Sequence, residues 1–357
     1  MVLLGLMRWL RAQTDWSLTL VVPGKGELLE EFAAVGSVVV AERPAGPPGT
    51  GGQLVIPITA PPDLIYYNTV ASAVTPPANV PAICHVHELA FALRIWTGPA
   101  PAAAFFRRFE RFIACAEAVR VNLINNHHVT ADRIDLVHEF ISTSAADAFI
   151  NRPDASGWLR QKLGLGQNTL IVGAAGTIDW RKGSDLFVQL ARTLSRHRPD
   201  LEVHFVWLGS EAGPLETYKF SHDIRLAGLE KRITVIPSQP DPLRYFAGFD
   251  VFALTSREDP FPLVCLESAS LGKPIVCFDS AGGMPEFVET DCGLVVPYLD
   301  IEAMSEAICR LLDDPAGRAS MGRAARNKVR ERCDISVAGP RIVQSIETAL
   351  SSPSTRN

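Results

Sequence analysis

The chain has no basic excess. Its 34 lysines and arginines stand against 39 aspartates and glutamates, a formal net charge of −5. A protein that gripped nucleic acid through its phosphates would show the opposite balance, so that class of bulk partner is excluded. Long apolar runs are missing too. The apolar start at residues 1–7 is cut short by Arg8 and Arg11, with no basic segment ahead of it and no small-residue cleavage site behind it. It therefore reads neither as a membrane span nor as a secretory signal. Leu3, Leu6, Met7 and Leu10 recur at helical spacing instead, which predicts an amphipathic core helix over 1–12. None of the seven cysteines forms a Cys-x-x-Cys pair, so a redox or zinc motif is not indicated; buried, reduced thiols in a cytoplasmic protein are expected. The Gly49-Thr50-Gly51-Gly52 run lacks the lysine of a phosphate loop and reads as a turn within the Pro- and Gly-rich stretch 44–52.

What is present is an alternation of strands and helices. At 357 residues, with 47% hydrophobic and 20% charged side chains, the chain suits two compact domains. In the second half, apolar runs at 169–174, 203–208, 233–236, 251–254 and 274–278 read as strands. Helical patterns at 184–197, 215–227, 243–247 and 263–272 separate them, with Ser184 as the expected N-cap of the first. Fully apolar strands alternating with helices imply a parallel sheet covered on both faces, whose ligands sit outside the carboxyl ends of the strands. The first half is α/β but less regular, with strands expected at 18–22, 37–41, 64–67, 82–86 and 112–115. Polar and small residues between 142 and 167 suggest the boundary, giving domains 1–150 and 151–335. Helices are expected at 318–332 and 342–350, with Pro340 in the first turn of the last one, and a disordered tail from Ser351.

The most specific stretch is 255–286. It sets Asp259 and Glu267 eight positions apart, with Glu258 beside the first and a Pro260-Phe261-Pro262 turn between them. Leu263 and Val264 then open a helix, and a glycine turn, Gly282-Gly283, follows the next strand and leads to Pro285-Glu286. One carboxylate thus falls on a loop and the other about a turn inside a helix, around free N–H groups that favour phosphate or sugar oxygens.

These linked elements resemble the donor-binding signature of the retaining glycosyltransferases of family 4, the group 1 glycosyltransferases. The likeness runs from about Asn168 to Cys333 and more loosely through the first half. The resemblance implies the GT-B architecture, an α/β fold of two facing Rossmann-like domains, with a segment from 336 crossing back to the first. In that fold the first domain opens with a strand and a glycine turn, whereas this sequence opens in a helix, so the first strand is expected to be missing.

The resemblance also assigns roles. Lys182, and beside it Arg181, would neutralise the diphosphate of a sugar nucleotide; relatives usually carry an arginine where Thr177 stands. Glu267 would hold the ribose hydroxyls. Asp259, a glutamate in most relatives, would approach the transferred sugar, with Glu258 as an alternative for that role. His87, within His85-Val86-His87-Glu88, matches the first domain's sugar-facing histidine. His85, His87 and Glu88 also invite a metal reading, but no third ligand cluster follows them, and the family needs neither metal nor cofactor. Gly209, Phe261, Pro262, Leu263 and Val264 would complete the donor site, and Pro237 and Ser238 would face the nucleobase.

The implied function is retaining transfer of a hexose from a nucleotide diphosphate sugar to a hydroxyl acceptor. Polysaccharide or cell-envelope glycan synthesis is the expected setting, with a glycan or lipid-linked acceptor and peripheral contact at the inner membrane face as a secondary expectation. The alternative is a catalytically impaired nucleotide-sugar-binding or scaffold protein. An epimerase or phosphorylase on the same architecture is a further reading, although no pyridoxal lysine site is evident.

Overall fold

The computed structural model describes residues 2–41, 60–72, 79–97, 103–150, 157–209 and 213–351. The stretch 44–52, with its glycine run, lies outside the described residues, as does the tail beyond Ser351. The chain divides into two compact units. The first holds Met1–Cys115, Val119–Phe140 and Ile335–Asn357; the second holds Ala116–Ala118 and Ile141–Asp334.

The first unit contains two parallel sheets. Strands β1 (Thr19–Val22) and β2 (Ser37–Val40) pair alone, while β3 (Ile65–Tyr67), β4 (Ala82–Val86), β5 (Arg111–Ala114) and β6 (Ile134–Leu136) lie side by side in chain order. β4 is buried along its whole length. Helix Val2–Gln13 turns Leu6, Met7 and Leu10 inward as expected, but with Leu4 buried beside them and Leu3 only half-buried. Leu6 and Leu10 join Ile83, Ile113, Ile342 and Ile346 in one apolar cluster, so helix Ile335–Ser351 packs within this unit. Gly339 of that helix lies against Trp9; a Cβ there would meet the indole at 2.7 Å.

The second unit is a six-stranded parallel sheet in the order β12-β11-β10-β7-β8-β9. Its strands are β7 (Leu170–Ala175), β8 (Val203–Leu208), β9 (Ile233–Ile236), β10 (Val251–Leu254), β11 (Ile275–Phe278) and β12 (Gly293–Val296). β8, β10 and β11 are buried at every residue, as a sheet covered on both faces requires. Helix Ser184–His197 buries Leu186, Phe187, Leu190, Ala191 and Leu194 along one stripe. Helix Ile301–Asp313 is capped by Asp300, whose side chain accepts from the Ala303 N–H at 2.9 Å.

Three local expectations fail. Ser184 is not a cap: the N-cap is Gly183, in the left-handed region at φ 70°, and Ser184 is the first helical residue. Only glycine fits there, because a Cβ would stand 2.0 Å from the Thr255 carbonyl oxygen. The last helix does not begin beyond Pro340 but at Ile335, with the proline inside it. The stripe of Ala338, Ile342, Ile346 and Ala349 is buried on both sides of Pro340, so packing carries the helix past the lost N–H. The preceding helix likewise starts earlier than expected, at Pro315, capped by Asp314.

Candidate active site

The loops that follow β7 and β10 form the best-defined polar site of the second unit. Both leave the carboxyl ends of neighbouring central strands, so sheet order alone brings them together. Their main chains are stitched to each other: Arg257 N–H donates to the Arg181 carbonyl at 2.8 Å, and the Thr255 hydroxyl to the Gly183 carbonyl at 3.0 Å. Arg257 also clasps Asp185 through two bonds, of 2.8 and 2.7 Å. Asp179 steadies the first loop by accepting from the Lys182 N–H at 2.7 Å.

On this frame Lys182 Nζ reaches Asp259 Oδ2 at 2.5 Å. The Ser256 hydroxyl donates to the same oxygen at 3.3 Å, and Arg181 stands 3.9 Å from the other. Arg181 also donates to the Glu258 carbonyl at 3.0 Å. Arg181, Lys182, Glu258 and Asp259 therefore converge, although Asp259 is the buried acid and Glu258 keeps its side chain half-buried beside it. A glycine turn backs the acid. Asp259 N–H donates to the Ala281 carbonyl at 2.7 Å, and Gly282, at φ 146°, leaves room for the Asp259 carbonyl that a Cβ would meet at 1.7 Å.

Pro262 is the N-cap of helix Leu263–Ser270, and Phe261 is buried edge-on against Phe287. The cap oxygen accepts from the Cys265 N–H at 3.0 Å, which leaves the N–H groups of Leu263 and Val264 with no acceptor among the described residues. One turn further, the Glu267 carboxyl has no hydrogen-bond or ion-pair partner among the described residues. Burial without such a partner pushes its pKa up from 4.5 to about 7. Gly209, after β8, is packed so tightly on the Gly176 carbonyl that a Cβ would stand 1.8 Å from it. Pro237 and Ser238 lie exposed after β9, and the Pro237 carbonyl accepts from the Gln239 side chain at 3.0 Å.

The first unit carries its own polar cluster at the ends of β4, β5 and β6. His87 Nδ1 is hydrogen-bonded to Glu139 Oε1, and the two side chains keep 18% and 7% of their surface exposed. The His85 ring lies 4.0 Å from that of His87, centroid to centroid, and its Nδ1 meets the Tyr66 hydroxyl at 2.5 Å. Glu88 turns back to accept from the N–H groups of Val70 and His87 and from the Thr69 hydroxyl. Burial lowers the pKa of His85. Burial acts the same way on His87, but the charge and hydrogen bond of Glu139, with Glu88, outweigh it and raise its pKa above 6.5. The grouping with metal-like spacing is therefore not His85, His87 and Glu88. It is His87, Cys115 and Glu139, whose ligand atoms lie within 4.8 Å of one another. Since His87 and Glu139 are bonded to each other, we read this group as a hydrogen-bonded pair rather than a ligand set.

Sequence reasoning missed three contributors. Arg257 and Asp185, which tie the loops, gave no motif signal. Glu139 lies three residues beyond a strand, β6, that the sequence reading left out.

Residues 158–328 match the family described as Glycosyl transferases group 1. The whole chain superimposes on solved glycosyltransferases. Anabaena HepE in complex with UDP and glucose gives a TM-score of 0.76 at 20% identity, over 97% of this chain and 95% of that one. WaaG, a glycosyltransferase involved in lipopolysaccharide biosynthesis, gives 0.73 at 13% identity, over 98% and 95%. The fold so defined is the GT-B fold. The match to the group 1 family falls on the second unit of this chain. Among curated relatives, a GDP-mannose-dependent monoacylated alpha-(1-6)-phosphatidylinositol monomannoside mannosyltransferase of Corynebacterium glutamicum is 28% identical over 206 residues, 55% of this chain and 52% of the relative. A D-inositol 3-phosphate glycosyltransferase of Arthrobacter sp. is 28% identical over 217 residues, 60% and 50%. The chain spans about half the length of the curated relatives it matches. No helix among the described residues is long and apolar enough to cross a membrane.

Proposed function

We propose that this chain transfers a hexose from a nucleotide diphosphate sugar to a hydroxyl acceptor with retention of anomeric configuration. The observation that carries this reading is the set of groups after β7 and β10: two cations at Asp259, and the N–H groups of Leu263 and Val264 and the acid one turn on at Glu267, each without a hydrogen-bond partner among the described residues. Such a set suits a diphosphate flanked by a diol. Lys182 and Arg181 would meet the diphosphate, with the Leu263 and Val264 N–H groups supplementing them, and no metal is needed to neutralise it. Glu267 would accept two ribose O–H bonds, which the ionised carboxylate can do in a fork.

In the reaction, the bond from the anomeric carbon to the phosphate oxygen breaks and its electron pair leaves with the diphosphate. The acceptor oxygen forms its bond on the same face, and its proton passes to the departing phosphate oxygen. Asp259, freed from Lys182 as the diphosphate takes over that cation, would act on the sugar as positive charge develops, and His87 of the first unit would bond an oxygen of a substrate sugar. The named relatives act on inositol phosphate and phosphatidylinositol mannoside, and HepE was solved with UDP and glucose. Those names support glycolipid or cell-envelope glycan assembly as the setting, with a lipid-linked or glycan acceptor. Calorimetric titration with UDP, GDP and ADP tests the donor site and names the base. One of them should bind, and Glu267→Ala should weaken that binding at least about tenfold, the loss of a hydrogen-bonded charge contact. Failure of all three with folded protein would sink the reading.

A further inference from the structure

We propose that Glu139 is a positioning residue for His87: it accepts the Nδ1–H hydrogen bond, fixes the ring and favours the doubly protonated imidazolium, whose Nε2–H is then the donor for an oxygen of the bound sugar substrate. The inference rests on the glycosyltransferase reading and adds a residue to it.

The geometry argues for a dedicated pair. Glu139 lies three residues beyond the end of β6, two strands away from His87 in the sheet, yet its Oε1 takes His87 Nδ1 while its Oε2 is buried with no partner among the described residues. His87 Nε2 is likewise buried with no hydrogen-bond partner among the described residues. A buried ring nitrogen left open costs stability, about 1–3 kcal/mol, unless something bonds it in the working state. The other groups around the ring are accounted for. Glu88 is spent on Thr69, Val70 and the His87 main chain, His85 on Tyr66, and Cys115 is a buried thiol within reach. Glu139 is thus the carboxylate hydrogen-bonded to the imidazole itself, with Glu88 adding only its charge, and the raised His87 pKa has the matching sign. A ring whose Nδ1–H is committed cannot flip, so one nitrogen is presented to a ligand in one orientation. Removing the charge while keeping the shape should free the proton before it frees the fold.

The test is Glu139→Gln, read in two ways on the full chain. Selective histidine labelling, with His87→Asn to assign the resonance, follows the His87 ring through pH by NMR. The ring should titrate above 6.5 in the parent and about 1 pH unit or more lower in the variant, the shift an adjacent carboxylate produces. Turnover of the nucleotide sugar whose base binds should fall on the alkaline side at lower pH in the variant, with KM for the donor nearly unchanged. Equal His87 titration in both proteins overturns the proposal. A shifted titration with a parallel loss of rate at every pH also overturns it, since that is what a merely structural pair gives. Stoichiometric Zn²⁺ binding that broadens the His87 resonance and is lost in the variant would show a metal site instead, and overturns it as well. Nucleotide binding is the separate check on the underlying reading: if no nucleotide binds, that reading fails, while the titration still shows whether the pair exists.

Discussion

Glu267 gives the sharpest quantitative expectation, because the group proposed to hold ribose should weaken the empty protein. Its carboxyl is raised from 4.5 to about 7 by burial without a partner. An acid whose folded pKa lies above its unfolded one keeps its proton longer in the native state. Stability therefore falls as pH rises from 4.5 to about 7 and is level beyond. Over that window the ionised carboxylate costs up to about 3 kcal/mol. Glu267→Gln keeps the shape and removes the titration. Urea unfolding should then show the two proteins about equal at pH 4.5, with the variant ahead by about 2–3 kcal/mol at pH 8. The same variant should lose nucleotide affinity, so gain of stability and loss of binding come from one oxygen-to-nitrogen change. Saturating nucleotide should narrow the stability gap at pH 8, since only the parent gains from ligand. A stability difference that stays constant from pH 4.5 to 8 would refute the reasoning, because it would mean the carboxylate finds a compensating partner when ionised.

Two further expectations concern the loops around that acid. Lys182→Ala strands the Asp259 carboxylate, only 5% exposed, and should cost about 3 kcal/mol, while the double variant with Asp259→Asn should recover much of it; a double variant no more stable in urea than Lys182→Ala would show that the pair is not coupled. Gly183→Ala forces a Cβ to within 2.0 Å of the Thr255 carbonyl at φ 70° and should cost about 3 kcal/mol, whereas Gly164→Ala, at φ 65° with nothing within 4 Å, should cost only about 1; equal thermal shifts would remove the close approach as the cause.

How much of this was legible in the sequence depended on whether local pattern or distant packing decided each feature. β8, β9 and β10 match their expected bounds because their apolar runs end where turn residues begin. β6 and β12 went unread: Ile134–Leu136 carries Asp135 in its middle, paired with Arg111 of the next strand, and Gly293 opens the other. The first is no apolar run and the second is only the short Leu294-Val295-Val296 between Gly293 and Pro297, and the neighbouring strand makes each an edge of a sheet. The acid-bearing loop was legible because its parts are consecutive. Arg257 sits inside that loop and was still passed over, since its partner, Asp185, is 72 positions away. The same holds for Glu139, 52 positions from His87. A motif reading finds the groups that would touch ligand, which are constrained along the chain. The residues that hold those groups in place are constrained only in space, and the two such residues found here, Arg257 and Glu139, each became visible when a parallel sheet set the ends of separate strands side by side.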